Sequence, residues 1–193
     1  MLIQRGFQHI EASQILIYLS VEGEKRERLY FNAVAELLDS NEGRRFRLEV
    51  DAESGKSSPG QVIDRAKIFL QLHSYADPNR MWLVTDADVG YLEAMEKRRG
   101  EVESLGFRFG ISNPCFELWL RLHERDPDDA LTDAKSYKNA NTFDLNAWRK
   151  EPKPDWIRNA VRRAELLPGS ATKPFPQNPG TQLGELFRYL GFG

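Results

Sequence analysis

Short apolar segments alternate along this chain with longer segments in which apolar residues recur every three or four positions. The short segments span residues 14–20, 44–50, 81–85 and 107–112. They are rich in strand-forming residues and too short for helices, which is typical of buried strands. The longer segments span residues 25–39, 61–73, 91–104 and 115–124. Their period predicts amphipathic helices, and we expect Gly100 to break or weaken the third of them.

Strands that alternate with helices form right-handed crossovers, which place the strands in a parallel sheet covered by helices on both faces. After about residue 125 the pattern changes to short helices joined by loops, with a clear helix at residues 156–167 and, after an extended segment, a closing helix at 181–190. We therefore expect an α/β domain over residues 1–125 and a helical C-terminal extension over residues 126–193 that packs on the same domain.

The composition is that of a soluble globular protein, with 40% hydrophobic and 29% charged residues. No apolar stretch approaches the roughly 20 residues of a membrane span. The first residues lack the apolar block and cleavage site of a signal peptide. We therefore expect a cytoplasmic protein without membrane contact. The single cysteine, Cys115, excludes an intrachain disulfide and a cysteine-based zinc cluster.

Charge is distributed unevenly along the chain, whose net charge is −2. Residues 131–193 hold ten basic and six acidic residues, a balance of +4, and the remainder has a balance of −6. This asymmetry suits a metal site beside a phosphate-binding surface, although a chance imbalance on a solvated face explains it equally well. Residues 135–163 also interleave cations with aromatic residues, a combination that suits binding of a nucleic-acid strand. Alternatively, the tryptophans of this stretch are buried anchors of the core.

Acidic residues follow two of the predicted strands at the points where the strands end. Glu22 lies in "VEGE" after the first strand, and Asp86 and Asp88 lie in "TDADVG" after the third. If these strands are neighbours, their ends lie about 4.8 Å apart, and the three carboxylates converge. Converging carboxylates need a cation, and oxygen ligands without His or Cys favour Mg²⁺ or Mn²⁺. Turn and N-cap chemistry is the alternative explanation for Asp86 and Asp88.

Three blocks of the sequence resemble one known family. "VEGEKRERLYF" (21–31) resembles the "CEGEKTEPNYF" block of the RloB family, which includes the AbiLii proteins of phage abortive infection. "ISNPCFELWLRLH" (111–123) closely resembles its "SNPCFELWLLLH" block, and "NPGTQLGELFRYL" (178–190) resembles its "NPSTxVHxLVxxL" ending. More broadly, a strand running into Glu-Gly and another running into Asp-x-Asp resemble the Toprim domain of topoisomerases, primases and OLD-type nucleases.

The resemblance implies a Toprim-like Rossmannoid sheet, acid–base chemistry by Glu22 and Mg²⁺ binding by Asp86 and Asp88. It also implies an AAA-type ATPase partner of the RloA or AbiLi type. Val21 stands where the family often has Cys, and Gln182 lies near its usual His. These departures remove no candidate metal ligand, but they leave no role here for that cysteine or histidine.

Two further acidic residues are candidate ligands of the same metal. Glu27 lies in the helix after the first strand, and Glu117 lies one turn into the helix that follows the fourth strand. Glu117 would alternatively complement the dipole of that helix. We therefore rank Glu27 and Glu117 behind Glu22, Asp86 and Asp88.

The candidates for binding phosphate or nucleic acid are Lys25, Lys56, Asn113, Arg158, Arg162 and Arg163. Lys25 follows the acidic turn, and Lys56 lies in a loop before a helix, where backbone amides can hold phosphate. That loop is not a Walker A motif, because Val50 stands where the motif needs Gly. Asn113 would alternatively cap the helix after the fourth strand, with Pro114 as the first helical residue.

The function that these features favour is Mg²⁺-dependent phosphodiester hydrolysis of DNA or RNA in anti-phage defence. Asp86 and Asp88 would hold the metal, and Glu22 would be a further ligand or the general base. Two alternatives remain open at this point. The first is a non-catalytic subunit that binds nucleic acid or the ATPase partner. The second is a metal-dependent nucleotide-handling transferase, for which the sequence shows no base pocket.

Overall fold

A five-stranded sheet forms the centre of the molecule in a computed structural model that describes residues 14–40, 45–53, 58–87 and 89–193. Its strands are β1 (Ile15–Val21), β2 (Phe46–Asp51), β3 (Met81–Asp86), β4 (Arg108–Asn113) and β5 (Gly180–Thr181). The strand order is β2-β1-β3-β4-β5. The first four strands are parallel, and the short β5 pairs antiparallel with β4. The predicted α/β fold with a mostly parallel sheet is confirmed.

Helices connect the strands and complete the C-terminal part of the chain. In the described residues they are α1 (Arg26–Ser40), α2 (Pro59–Leu72), α3 (Val89–Leu105), α4 (Phe116–Leu122), α5 (Ala134–Ala140), α6 (Leu145–Lys150), α7 (Pro154–Leu166) and α8 (Leu183–Tyr189). The expected break at Gly100 is wrong, since α3 continues through it. Gly100 is exposed, and neighbouring ion pairs such as Arg99–Glu103 support the helix around it. None of the described helices is long and apolar enough to cross a membrane.

Alternating side chains of β1 show how the sheet is covered on both faces. Leu19 and Val21 point into a core shared with α1, α4, α7 and α8, while Tyr18 points into a second core with α2 and α3. A strand presents successive side chains to opposite faces, so a strand buried on both faces reads as a continuous apolar run. This geometry explains why the strands were recognisable from short apolar segments.

The C-terminal part of the chain packs in the same core as the sheet. Phe187 of α8 stacks on Trp119 of α4, with ring centroids 4.9 Å apart and an interplanar angle of 9°. Trp148 of α6 stacks in the same way on Tyr30 of α1, at 5.2 Å. Strand β5, which the sequence pattern did not predict, adds backbone pairing between this part and β4. Aromatic stacking and sheet pairing therefore join residues 126–193 to the α/β part.

A buried chain of hydrogen bonds links α1 to the C-terminal end of α4. The indole Nε1 of Trp119 donates to the Tyr30 hydroxyl at 3.0 Å, and Tyr30 lies 2.9 Å from Nε2 of His123. Nδ1 of His123 lies 3.0 Å from the Trp119 carbonyl. All three bonds are satisfied if Nδ1 carries the proton and Tyr30 donates to Nε2. Burial lowers the pKa of His123 from 6.5 to about 4, which keeps this ring neutral.

Candidate active site

The candidate site lies where β1 and β3 end side by side. Strand order reverses between these strands, because the chain leaves β1 towards β2 on one side and later enters β3 on the other. In open α/β sheets, ligands bind at the carboxyl ends of the strands at such a switch point. The Glu22 amide donates to the Val84 carbonyl at 2.9 Å, and the Asp86 amide donates to Oε2 of Glu22 at 3.1 Å. The structure thus brings Glu22 and Asp86 together.

Asp86 also fixes the start of α4. Its Oδ1 accepts a hydrogen bond from the Phe116 amide at 2.7 Å, although the two residues are separated by 30 positions. Cys115 occupies the N-cap position of α4, and its side chain makes no capping bond. The prediction that Asn113 caps this helix, with Pro114 as its first residue, is wrong. Asn113 is the last residue of β4, where it pairs with Gly180.

Glu27 and Glu117 complete an acidic cluster around Asp86. Glu117 is buried, and its Oε1 forms an ion pair with Arg26 at the start of α1. Glu27 lies over Gly23, where the Cβ of any other residue would collide with its carboxylate. The glycine at position 23 thus leaves room for the Glu27 carboxylate, which a larger residue there would displace.

Burial and like charge shift the pKa of two of these carboxyls in the same direction. The pKa of Asp86 is raised well above its ordinary value by burial first, and then by Glu27, Glu22 and Glu117. The pKa of Glu27 is also raised, mainly by burial and further by Glu117. Lys138 of α5 opposes both shifts, and Arg26 opposes that of Glu27. Burial and the neighbouring carboxylates therefore both disfavour the ionised form of these two carboxyls.

The donor chemistry of this cluster fits a hard divalent cation. Carboxylate oxygens are the ligands that Mg²⁺ and Mn²⁺ prefer, and a cation would favour the ionised forms of Asp86 and Glu27, whose pKa values burial and neighbouring carboxylates raise. Asp88, the third predicted ligand, lies outside the described residues. Among those that are described, no three Asp, Glu, His or Cys side chains already converge on one metal position. The chemistry of a metal site is thus present, while the metal roles of these residues stay predictions.

The candidate phosphate-binding residues occupy different surroundings. Lys25 is exposed beside the acidic turn, and Lys56 lies outside the described residues. Asn113 donates its Nδ2 to the Pro176 carbonyl at 2.9 Å, which ties the C-terminal segment to the end of β4. Its phosphate role, like those of the lysines, stays a prediction.

The three arginines of α7 also differ from one another. Arg163 has a side chain only 14% exposed and bonds to Asp126. It also donates to the carbonyls of Leu122 and His123, at the opposite end of α4 from Asp86. Arg158 is exposed and pairs with Asp155, and Arg162 is exposed. The structure does not bring Arg163 to the carboxylates.

Sequence reasoning missed two cations that act on the cluster. Arg26 stands in "VEGEKRERLYF" where the family's "CEGEKTEPNYF" has Thr, a difference that could have drawn attention to it. Lys138 lies among the interleaved cations of residues 135–163, but nothing in the local sequence distinguishes it from the other lysines there. Only the packing of α5 places its charge within reach of Asp86 and Glu27.

The fold and site define a class of protein, an α/β Rossmannoid protein with an acidic centre at the switch point of its sheet. The chain matches the model of RloB-like proteins over residues 17–190 and belongs to that family. The resemblance in the three sequence blocks is therefore confirmed, and family membership suggests a defence-associated role. No curated protein and no solved structure shows a significant match to the chain.

Proposed function

We propose that this RloB-like protein is a metal-dependent nuclease that hydrolyses phosphodiester bonds of DNA or RNA in anti-phage defence. One observation carries the proposal: Glu22 accepts a hydrogen bond from the Asp86 amide at 3.1 Å, at the carboxyl ends of adjacent parallel strands. Burial, and after it the neighbouring carboxylates, raise the pKa of Asp86 at this point. A crowded group of carboxyls at the ligand-binding edge of a sheet supports cation-assisted chemistry.

The residues that would hold Mg²⁺ or Mn²⁺ are Glu22, Asp86 and Asp88, with Glu27 and Glu117 as further ligands. Such a cation, when bound, supplies charge for the phosphate and lowers the pKa of a coordinated water. Glu22 is oriented by the Asp86 amide, and its other oxygen would either bind the cation or, as the general base, accept the proton of the attacking water. The Phe116 amide holds Oδ1 of Asp86 and thereby fixes the direction of that carboxylate.

A second candidate is a binding subunit without catalysis. Two contacts favour it, because Oδ1 of Asp86 already caps α4 and Glu117 already pairs with Arg26. A chain whose carboxylates serve only to orient α1 and α4 would bind nucleic acid or an AAA-type ATPase partner and leave the chemistry to that partner. Metal binding by the isolated chain separates this candidate from the nuclease.

The deciding experiment is a cleavage assay of the purified chain on single- and double-stranded DNA and RNA. It is run with Mg²⁺, with Mn²⁺ and with EDTA, each with and without an AAA-type ATPase partner. Glu22→Gln keeps an oxygen that accepts from the Asp86 amide but removes the charge and most of the basicity. We expect cleavage with divalent metal, none in EDTA, and a loss of at least about 10³-fold in Glu22→Gln.

A matched control is Glu36→Gln, which neutralises an exposed glutamate elsewhere on α1, the helix that carries Glu27. It should cleave like the unaltered chain. Cleavage that persists in EDTA or in Glu22→Gln would overturn the mechanism. A chain that binds nucleic acid or the ATPase but neither Mn²⁺ nor Mg²⁺ would establish the binding subunit instead.

A further inference from the structure

Helix α5, in the C-terminal extension, packs beside the end of α4 that Asp86 holds. Tyr137 of α5 is buried in the core, and it fixes the rotation of this short helix. The Cys115 thiol makes a weak hydrogen bond to the Ala134 carbonyl, at 3.9 Å. Cys115 directly precedes Phe116, whose amide donates to Asp86. The start of α5 is therefore connected to the acidic cluster through two consecutive residues.

Lys138 follows Tyr137 and lies one helical turn beyond Ala134. Residues four apart share a face of a helix, so Lys138 lies on the face of α5 that approaches Cys115. Among the basic groups that act on Asp86, Lys138 has the largest effect, and it lowers the pKa of both Asp86 and Glu27. Its field therefore reaches carboxylates contributed by β3 and by α1.

The side chain of Lys138 is less constrained than that of Arg26. The guanidinium of Arg26 is engaged in an ion pair with the buried Glu117. Lys138 is exposed, and no ion pair ties it to another of the residues that the structure describes. An ammonium group on a flexible stem, on a helix that packs beside the acidic end of α4 and not held in an ion pair by a described residue, is suited to meet an incoming anion.

We propose that Lys138 binds the phosphate group that enters the acidic site, and that the ligand is a phosphodiester of a nucleic acid. This inference rests on the proposed function. A phosphodiester is an anion, and the carboxylates around Asp86 repel it. A cation bound among those carboxylates offsets part of the repulsion, and a lysine at the rim supplies a second positive charge and hydrogen bonds to a non-bridging oxygen. The C-terminal extension would thus contribute directly to the site.

The test compares Lys138→Ala and Lys138→Arg with Lys135→Ala, which removes an exposed lysine from the same helix. Lys138→Ala should lower kcat/KM for cleavage about 10²-fold, the usual effect of losing one donor to a reacting oxyanion. Lys138→Arg should recover part of this loss, because it restores the charge. Lys135→Ala should stay within about twofold of the unaltered chain, the range expected for a surface residue away from the reacting group. Equal kcat/KM in Lys138→Ala and Lys135→Ala would overturn the inference and leave the nuclease proposal standing.

Metal affinity provides a second measurement, because a purely structural role of Lys138 would not make its removal tighten Mn²⁺ binding. Loss of a positive charge beside the carboxylates should tighten Mn²⁺ binding, measured by calorimetry, in Lys138→Ala but not in Lys135→Ala. Unchanged or weaker Mn²⁺ binding in Lys138→Ala would count against the inference, while an unchanged melting temperature would confirm that the variant folds.

The two proposals can fail separately. If the unaltered chain cleaves no nucleic acid, the nuclease proposal fails, and binding of a phosphorothioate-linked 12-mer oligonucleotide decides the role of Lys138. Weaker binding by Lys138→Ala alone would support it. Equal binding by both lysine variants, or no binding by the unaltered chain, would overturn it.

Discussion

The two ends of α4 differ in how their buried polar groups are paired: carboxyls crowd together at one end, and polar groups are hydrogen-bonded to each other at the other. At its N-terminal end, Asp86 lies near Glu117 and other carboxylates, and its pKa is raised by burial first and then by these neighbours. At its C-terminal end, the neutral His123 is bonded on both ring nitrogens, and Arg163 donates to the last carbonyls of the helix. Balanced polar groups stabilise a fold, whereas excess charge of one sign costs stability unless a ligand neutralises it. In our proposal the first end binds a ligand, while the hydrogen bonds of the second end serve folding.

The largest expected effect is at the N-terminal end of α4. Asp86→Asn keeps an oxygen for the Phe116 amide but removes a charge from the cluster. We expect cleavage to fall at least about 10³-fold, with an unchanged or slightly raised melting temperature, because like charges no longer repel. Cleavage rates and thermal unfolding measure the two effects.

Asp86→Ala removes the hydrogen bond to the Phe116 amide as well as the charge, so comparison with Asp86→Asn separates the two effects. It should lose cleavage equally, and it should also cost about 1 kcal/mol of unfolding free energy through the lost bond to Phe116. If Asp86→Asn retained cleavage, the proposed catalytic role of the N-terminal end of α4 would be wrong.

Acid should weaken the C-terminal end of α4 through His123. The pKa of His123 in the folded protein is about 4, against 6.5 for the free side chain. Because the folded pKa is depressed, the unfolded chain takes up a proton first, and stability is lost as pH falls from about 6.5 to about 4. The loss attributable to His123 approaches about 3 kcal/mol, from 1.4 kcal/mol for each pKa unit. Urea unfolding across this range measures it, with His123→Gln as the variant in which this part of the pH dependence should vanish.

Tyr30→Phe should break the same network without changing its shape. The change removes the hydroxyl that accepts from Trp119 and contacts His123, and it leaves both buried partners unsatisfied. The expected cost is about 2 kcal/mol of unfolding free energy, with unchanged affinity for Mn²⁺. Tyr75→Phe is the matched control, because that ring is 54% exposed and its hydroxyl bond lies at the surface. Equal losses in the two variants would show that the network does not stabilise α4.

The smallest expected effect concerns the exposed arginines of α7. Arg158→Ala and Arg162→Ala should each weaken nucleic-acid binding by a small factor and reduce the slope of log affinity against log salt by about one. Arg163→Ala should instead lower stability, because this side chain holds the end of α4. Binding at several salt concentrations, set beside urea unfolding, distinguishes the two classes. A flattened salt dependence in Arg163→Ala with unchanged stability would contradict this division.

The strands, the helices between them and the meeting of Glu22 with Asp86 could be predicted from sequence, because each follows from periodicity and from the rules of parallel sheets. The cap of α4 could not. Asp86 lies 30 residues before Phe116, and Asn113 is a better local candidate. The His123 network and the position of Lys138 depend likewise on packing between distant segments, and β5 has only two residues. Local patterns carry no information on such contacts.

The stacking of Phe187 on Trp119 also limits how such a chain can evolve. These rings come from opposite sides of residue 125, and their planes lie within 9° of each other. A recombination event that joined the first part of one relative to the last part of another would bring together surfaces shaped on different partners. Volume changes of a single methylene group are felt in a packed core. We therefore expect a chimaera joined near residue 125 to be less stable than either parent unless Trp119 and Phe187 come from the same relative.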